Sequence, residues 1–287
     1  MMSSSPELAG LSAERAVQWL YPLITCPACR SDLDVEEVGV EPIRCPACGR
    51  TYPWLDHIPV LVEQDTPDPR LLELAEAWNR AAPGWRLNLG KPAKVLAAAE
   101  LPLLETASGL LLEIGCGDGR LFPAYESRGL RAIGLDFSAV MLQMAVGGGF
   151  PLVLADAHRV PLRDACIDTV LVPFATVRYL DYLPFFVEVR RLLRPGGVLG
   201  FTAWNAWYNG ARAVMGHRTE GWKKGRDVIR LSELLRPLGV AGLELTEISG
   251  VFSAPRWSPL RQRWAPRMEG KAAASLARDI VVIARRP

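Results

Sequence analysis

The run Leu111-Leu112-Glu113-Ile114-Gly115-Cys116-Gly117-Asp118-Gly119 constrains this chain more than any other stretch, because an apolar segment breaks abruptly into three alternate glycines. An unbroken apolar row suits a strand buried on both faces, as in parallel sheets. Glycine at every second position then lets the backbone take positive φ and pass close to a bulky partner. At the carboxyl end of a parallel strand such a turn makes the floor of a ligand crevice.

From Gly109 onward the pattern alternates between strand and helix. Strands are predicted over 110–114, 130–135, 151–154, 168–172 and 198–204. Helices are predicted over 120–127, after the capping Ser138, over 181–193 and over 231–238. Segments 240–248 and 279–284 read as closing strands, a hairpin at the sheet edge. The fold class that follows is α/β: a doubly wound, mainly parallel seven-stranded sheet with helices on both faces. The chain of 287 residues has room for more than this. Residues 1–20 read as a helical extension, 21–66 as a cysteine-rich module, 67–108 as a helical linker or lid, and 109–287 as the main domain. Within 67–108 one helix opens at Asp68-Pro69-Arg70 and closes at Pro83-Gly84. A second spans 94–104, bent at Pro102.

Four of the six cysteines form two pairs, Cys26-Pro27-Ala28-Cys29 and Cys45-Pro46-Ala47-Cys48, with fifteen residues between them. A two-residue spacer turns both sulfurs toward one point, and two such knuckles supply the four thiolates of a tetrahedral structural zinc site. The N-terminus shows no basic segment followed by an apolar core, so an export signal is not expected, and metal is favoured over disulfides. Short strands are expected at 34–38, 42–44 and 58–62. A module this small has too little core to fold alone, so zinc binding is expected to drive its folding.

Composition excludes little but is consistent: 49% hydrophobic and 22% charged residues describe an ordinary soluble protein. No apolar run reaches the roughly 18 residues of a membrane span, and the cytoplasm is the expected compartment. The net charge of +2 is low for a nucleic-acid binder. Its distribution is uneven, with an acidic excess in 1–66 and a basic excess in 251–287. A basic end attracts anionic substrates or surfaces, or forms a solvated rim.

The glycine turn discriminates among nucleotide ligands. A dinucleotide fingerprint needs Gly-x-Gly-x-x-Gly, and here the third glycine comes one residue early. A phosphate-cradling loop needs Gly-Lys-Ser or Gly-Lys-Thr, which is absent. Glu113 and Asp118 would repel a pyrophosphate but suit an amine or sulfonium. Asp136, about twenty residues on, can accept hydrogen bonds from ribose hydroxyls. Asp156 and Ala157 can reach an adenine edge, with Phe137 and Met141 packing on the ring. Ribose and adenine without phosphate, plus a positive centre, describe S-adenosylmethionine.

Residues 109–204 resemble the class I S-adenosylmethionine-dependent methyltransferases of the quinone-biosynthesis and small-molecule group. The matching pieces are the glycine run, Ile133-Gly134-Leu135-Asp136-Phe137-Ser138, Asp156-Ala157 with Val160-Pro161-Leu162, and Leu193-Arg194-Pro195-Gly196-Gly197. The terminal 279–285 resembles the family's last strand. The resemblance implies a Rossmann-like methyltransferase sheet. It implies that Glu113, Gly115 and Gly117 line the methionine end, Asp136 the ribose, Asp156 with Ala157 the adenine, and that Phe174 faces the sulfonium. The flanks of the cysteine pairs, Tyr21-Pro22-Leu23-Ile24 and Tyr52 to Leu61, resemble small zinc-ribbon proteins that activate tRNA, rRNA and protein methyltransferases. That implies a zinc ribbon acting as a partner subunit carried in the same chain.

The acceptor is less legible. Val172-Pro173-Phe174-Ala175 lacks the Asn/Asp-Pro-Pro-aromatic pattern of adenine-amino and glutamine methyltransferases, and no cysteine follows. Candidate acceptor groups are Arg178, Tyr179 and Tyr182. Others lie in the insert 205–230, with Trp207, Tyr208, Arg212, His217, Arg218, Trp222, Lys223, Lys224 and Arg226. His217 and Tyr179 are the candidate catalytic bases. The favoured acceptor is a small or lipid-like metabolite. The first alternative is an rRNA or tRNA base taken up by the ribbon and the aromatic, basic insert. The ribbon departs from that of the large-subunit rRNA guanine methyltransferases, which has a histidine ligand and a shorter gap. The second alternative is a non-catalytic cofactor-binding protein that recruits a partner. No motif favours one oligomeric state.

Overall fold

The computed structural model describes residues 18–63, 69–85, 93–205, 229–252 and 267–287. The chain divides into two compact units, Met1–Ala82 with Gly109–Cys166, and Pro83–Ser108 with Ile167–Pro287.

The first unit joins the cysteine module to the glycine turn. Strand β1 (Ile43–Arg44) pairs antiparallel with β2 (Thr51–Tyr52) across the second knuckle, and β3 (Trp54–Leu55) pairs with β4 (Ile58–Pro59). The expected strand at 34–38 reduces to a single bridge, Asp34 to Arg44, and the residues after it turn. Gly39, Glu36 and Glu37 there do not sustain the alternation a strand needs. Next come helix Pro69–Ala81, β5 (Leu110–Ile114), helix Phe122–Glu126, β6 (Arg131–Asp136), helix Ala139–Ala145 and β7 (Leu152–Leu154). β5, β6 and β7 are parallel neighbours in that order, with Ile114 beside Leu135 and Asp136 beside Leu154. All five residues of β5 are buried, as its unbroken apolar run requires.

Val60 bridges in parallel to Leu154 at the free edge of β7, and the Leu61 N–H donates to the Leu154 carbonyl at 2.9 Å. The cysteine module thus extends the sheet edge that β7 would otherwise expose.

In the second unit, helix Ala93–Thr106 continues through Pro102. β8 (Ile167–Val172) lies parallel to β9 (Leu193–Trp204), and β9 pairs antiparallel with β12 (Asp279–Arg285). β12 pairs antiparallel with β10 (Glu244–Val251), which carries β11 (Arg267–Glu269). Among the described residues there is one sheet strand more than the seven expected, the addition being β11. β9 begins earlier than predicted because Arg194-Pro195-Gly196-Gly197 is a bulge within it. Ile167 opposes Leu193 while Thr169 already opposes Val198, with Gly196 at φ 79°. Helix Tyr182–Leu192 turns Phe185, Phe186, Val189 and Leu192 inward, and Phe186 meets Phe201 of β9 with ring centroids 5.7 Å apart. No described helix is long and apolar enough to cross a membrane.

Asp279 opens β12 and is 2% exposed. Burial pushes its carboxyl up to about 6, opposed by Arg278 and reinforced by Glu100. The unfolded chain ionises near pH 4, so between about pH 4 and 6 the folded state holds the extra proton. Stability therefore falls as pH rises through that window and levels off above it. Asp279→Asn is expected to remove this dependence. Its unfolding free energy relative to wild type should rise by about 2 kcal/mol between pH 4.5 and 7.5 in denaturant titrations. A gap independent of pH would contradict the assignment.

Candidate functional site

At the end of β5 the three glycines divide the work. Gly115, Gly117 and Gly119 all have positive φ, at 73°, 55° and 73°. A Cβ on Gly119 would lie 2.6 Å from the Phe122 ring, so this glycine seats the helix that follows. Gly134 on β6 closes the same notch, since a Cβ there would come within 2.9 Å of Leu152, Phe122 and the Cys116 sulfur. A Cβ on Gly117 would meet nothing nearer than Met141 Sδ at 3.9 Å. Gly117 is therefore needed for its backbone angle and for the open space above it, which is where a ligand can approach.

The turn is tied to β6 by its carboxylate. Asp136 Oδ2 accepts the Gly117 N–H at 2.8 Å, and Oδ1 accepts the Ser138 N–H at 2.9 Å. Each oxygen keeps a lone pair for a further donor. Burial holds this carboxyl above the ordinary aspartate range, against the pull of the Ser138, Gly117 and Phe137 amides. Glu113, the last but one residue of β5, is buried. Cys116 is buried too, and desolvation, with Asp136 and Glu113 nearby, pushes its thiol well up, so it stays a small neutral group rather than a nucleophile.

Ser138 caps helix Ala139–Ala145 as expected, its Oγ accepting the Met141 N–H at 3.2 Å. A second capping residue had no sequence signal. Asn79, from helix Pro69–Ala81, has its Oδ1 accept from Ser138 Oγ at 2.7 Å and from the Val140 N–H at 3.3 Å. Phe137 sits between Asp136 and this helix start, and Met141 within the helix is buried.

Asp156 and Ala157 follow β7, at the same carboxyl edge as Asp136. Asp156 Oδ1 accepts the His158 N–H at 2.9 Å and lies 2.9 Å from His158 Nδ1, shaping a tight turn. That loop is held from the cysteine module. Arg159 donates from Nη2 to the Ala28 carbonyl at 2.6 Å, from Nε to the Pro27 carbonyl, and from Nη1 to Glu63 at 2.8 Å. Arg30 Nη1 returns a bond to the Val160 carbonyl at 2.7 Å, and the Thr25 N–H donates to the Pro161 carbonyl at 2.9 Å. Neither arginine stands out in the sequence.

The thiols of Cys26, Cys29, Cys45 and Cys48 all lie within 4.8 Å of one another. Cys26 and Cys48 sulfurs are 3.7 Å apart, and those of Cys29 and Cys45 are 3.5 Å apart. Tetrahedral thiolates around a zinc-sized ion would be separated by ~3.8 Å, so the cluster fits such a metal. Arg30 and Gly49, each just after a knuckle, have φ 66° and 74° and close the two turns alike. Tyr52 Oη, 3.0 Å from Cys26 Sγ, supplies an outer hydrogen bond.

The remaining expected residues lie in the second unit. Phe174 and Ala175, just past β8, both have φ 55°, a conformation that costs a bulky side chain energy. The Phe174 ring packs edge-on to Trp85 at 5.0 Å and to Trp204 at 6.1 Å. Tyr179 is stacked by Arg178, whose Nη2 donates to the tyrosine hydroxyl. Tyr182 packs on Phe186 at 6.4 Å as part of the helix core. His217 and the rest of the aromatic, basic insert at 206–228 lie outside the described residues.

A glycine turn after the first strand, an acidic residue ending the second and a loop after the third define a class I S-adenosylmethionine-dependent methyltransferase, built on a large, mainly parallel Rossmann-like sheet. Comparison with known proteins agrees: residues 112–201 match the methyltransferase domain family. The chain is 27% identical over 192 residues to a malonyl-acyl-carrier-protein O-methyltransferase of Salmonella typhimurium, covering 56% of this chain and 76% of that one. It is 26% identical over 167 residues to a ubiquinone biosynthesis O-methyltransferase of Rhizobium etli, covering 54% and 66%. A crystal structure of an S-adenosylmethionine-dependent methyltransferase from Thermotoga maritima aligns with TM-score 0.58 at 21% identity, over 75% of this chain and all of that one.

Proposed function

We propose that this methyltransferase acts on a small or lipid-like metabolite in the cytoplasm and that its cysteine module is a structural zinc ribbon. The observation that supports the acceptor class best is the aromatic wall of Trp85, Phe174 and Trp204 past β8 and β9. Such a wall encloses a compact apolar or planar group, and the +2 net charge supplies little attraction for a phosphate backbone. Bound S-adenosylmethionine would supply an electrophilic methyl group on sulfur. Glu113 and the Gly115–Gly117 backbone would hold its methionine end, Asp136 the ribose, and Phe137 with the Asp156–Ala157 turn the adenine. Phe174 would shield the reacting carbon from water, and the protein's main contribution would be alignment. Tyr179 and His217 are the candidates to take a proton from an oxygen or carbon acceptor.

In the ribbon, Cys26, Cys29, Cys45 and Cys48 would hold zinc, and Arg159 would carry that order to the adenine-side turn. Thiols kept for a metal also fit a reducing compartment. An RNA acceptor is the second reading, favoured by the tryptophans and lysines of 206–228. The test is methyl transfer from labelled S-adenosylmethionine into a cell extract, followed by separation of RNA from metabolites. Label is expected in the small-molecule or lipid fraction, with no salt-sensitive retention on rRNA or tRNA fragments. Label recovered in RNA would overturn the proposal.

A further inference from the structure

Arg178 carries an unusual charge for its surroundings. The residue is 4% exposed, yet neither its Nε nor its Nη1 has a hydrogen-bond partner among the described residues. Its Nη2 donates to Tyr179 Oη, a neutral group. The guanidinium carbon sits 4.5 Å from the Tyr179 ring centre and 4.1 Å from that of Trp204. Two rings therefore hold the cation, while two buried donors have nothing to bond among the described residues. A buried cation in that condition is costly unless an anion joins it.

The place matters as much as the charge. Arg178 lies in the 3-10 turn Thr176–Tyr179, just past the carboxyl end of β8, and Trp204 ends the parallel neighbour β9. The carboxyl ends of parallel strands are where such sheets bind ligands. The approach to the turn is strained at Phe174 and Ala175, and the Ala175 N–H is anchored on Thr202 Oγ1 at 2.8 Å. Strain kept by an anchored backbone marks a residue held for use.

We propose that Arg178 is the anion-binding residue of the acceptor site, so the methyl acceptor carries a carboxylate or phosphate. A planar guanidinium suits both oxygen anions, and the Trp85–Phe174–Trp204 wall would take the acceptor's apolar part. This inference rests on the small-metabolite reading. Tryptophan fluorescence tests it directly, because Trp204 touches the guanidinium. The probes are malonate and inorganic phosphate, with malonamide as the neutral control, added to the full-length protein with and without S-adenosylhomocysteine.

Saturable binding of at least one anion, and none of malonamide, is expected. Arg178→Met should weaken the anion roughly tenfold or more while S-adenosylhomocysteine binding is unchanged. Arg178→Lys, which keeps the charge, should retain part of the affinity, and it carries the test if the methionine variant does not fold. Tighter phosphate assigns a phosphorylated acceptor and tighter malonate a carboxylated one. Equal anion binding by wild type and Arg178→Met, or no saturable signal from either anion, would overturn the proposal. Loss of S-adenosylhomocysteine binding in the wild type, with anion binding intact, would instead strike the methyltransferase reading alone.

Discussion

Asp136→Ala is expected to reduce S-adenosylmethionine affinity by about a hundredfold or more, because in the proposed cofactor site one carboxylate would serve both the turn and the ligand. Its two oxygens hold the Gly117 and Ser138 amides at 2.8 and 2.9 Å. Removing them frees the glycine turn at its most open point and would deprive a ribose bound as proposed of its acceptors. Charge-assisted hydrogen bonds of this kind are worth about 1.5–3 kcal/mol each, and two suffice for the expected loss. Asp136→Asn should fall between, since an amide keeps one acceptor but turns a donor toward a backbone N–H. Isothermal titration reads the affinity, and circular dichroism checks that the sheet survives. Binding within threefold of wild type would remove Asp136 from the cofactor site. The pH profile has a fixed sign. Burial raises this carboxyl, so cofactor affinity should fall on acidification at a higher pH than an ordinary aspartate would give.

The second large effect concerns the metal. The purified chain is expected to carry about one zinc ion, and stripping it, or introducing Cys45→Ser, should unfold the ribbon. Its hairpins are two residues per strand and cannot be stable alone. Because Arg159 is bonded to the carbonyls of Pro27 and Ala28 inside the first knuckle, the damage should reach the Asp156 turn. S-adenosylmethionine affinity should therefore drop in the zinc-free protein, and Arg159→Met should reproduce part of that drop with zinc retained. Elemental analysis, limited proteolysis of the N-terminal segment and titration calorimetry separate these outcomes. A metal-free protein with an intact ribbon would refute the zinc assignment.

How much of this was legible depended on range along the chain. The glycine turn announces itself because positive φ at Gly115, Gly117 and Gly119 is a demand only glycine meets without strain. The knuckles are as plain, since two cysteines three apart converge whatever surrounds them. Ser138 is a local cap and was readable as one. Asn79 was not, because its capping role joins residues about sixty positions apart. Asp156 was anticipated at its strand end, but its commitment to His158 was not. Phe174 was expected near the reacting centre on resemblance alone. Its left-handed backbone is unusual for a phenylalanine and has no local sequence signal, and the next residue, Ala175, is anchored through its N–H on the distant Thr202.

The sequence by itself determined the alternating α/β elements, the glycine turn, the acidic ends of the following strands and a four-thiol cluster. Each is set by short-range rules of periodicity, backbone angle or spacing. Tertiary structure alone decided that the ribbon would complete the edge of β7 and grip the loop after it. The Arg159–Ala28 bond spans 131 residues of sequence, and an arginine reads as a surface cation until folding supplies its partners. The same is true of Arg178. Its charge was visible from the start, and its burial between two aromatic rings, with donors left over, was decided only when β8 and β9 came side by side.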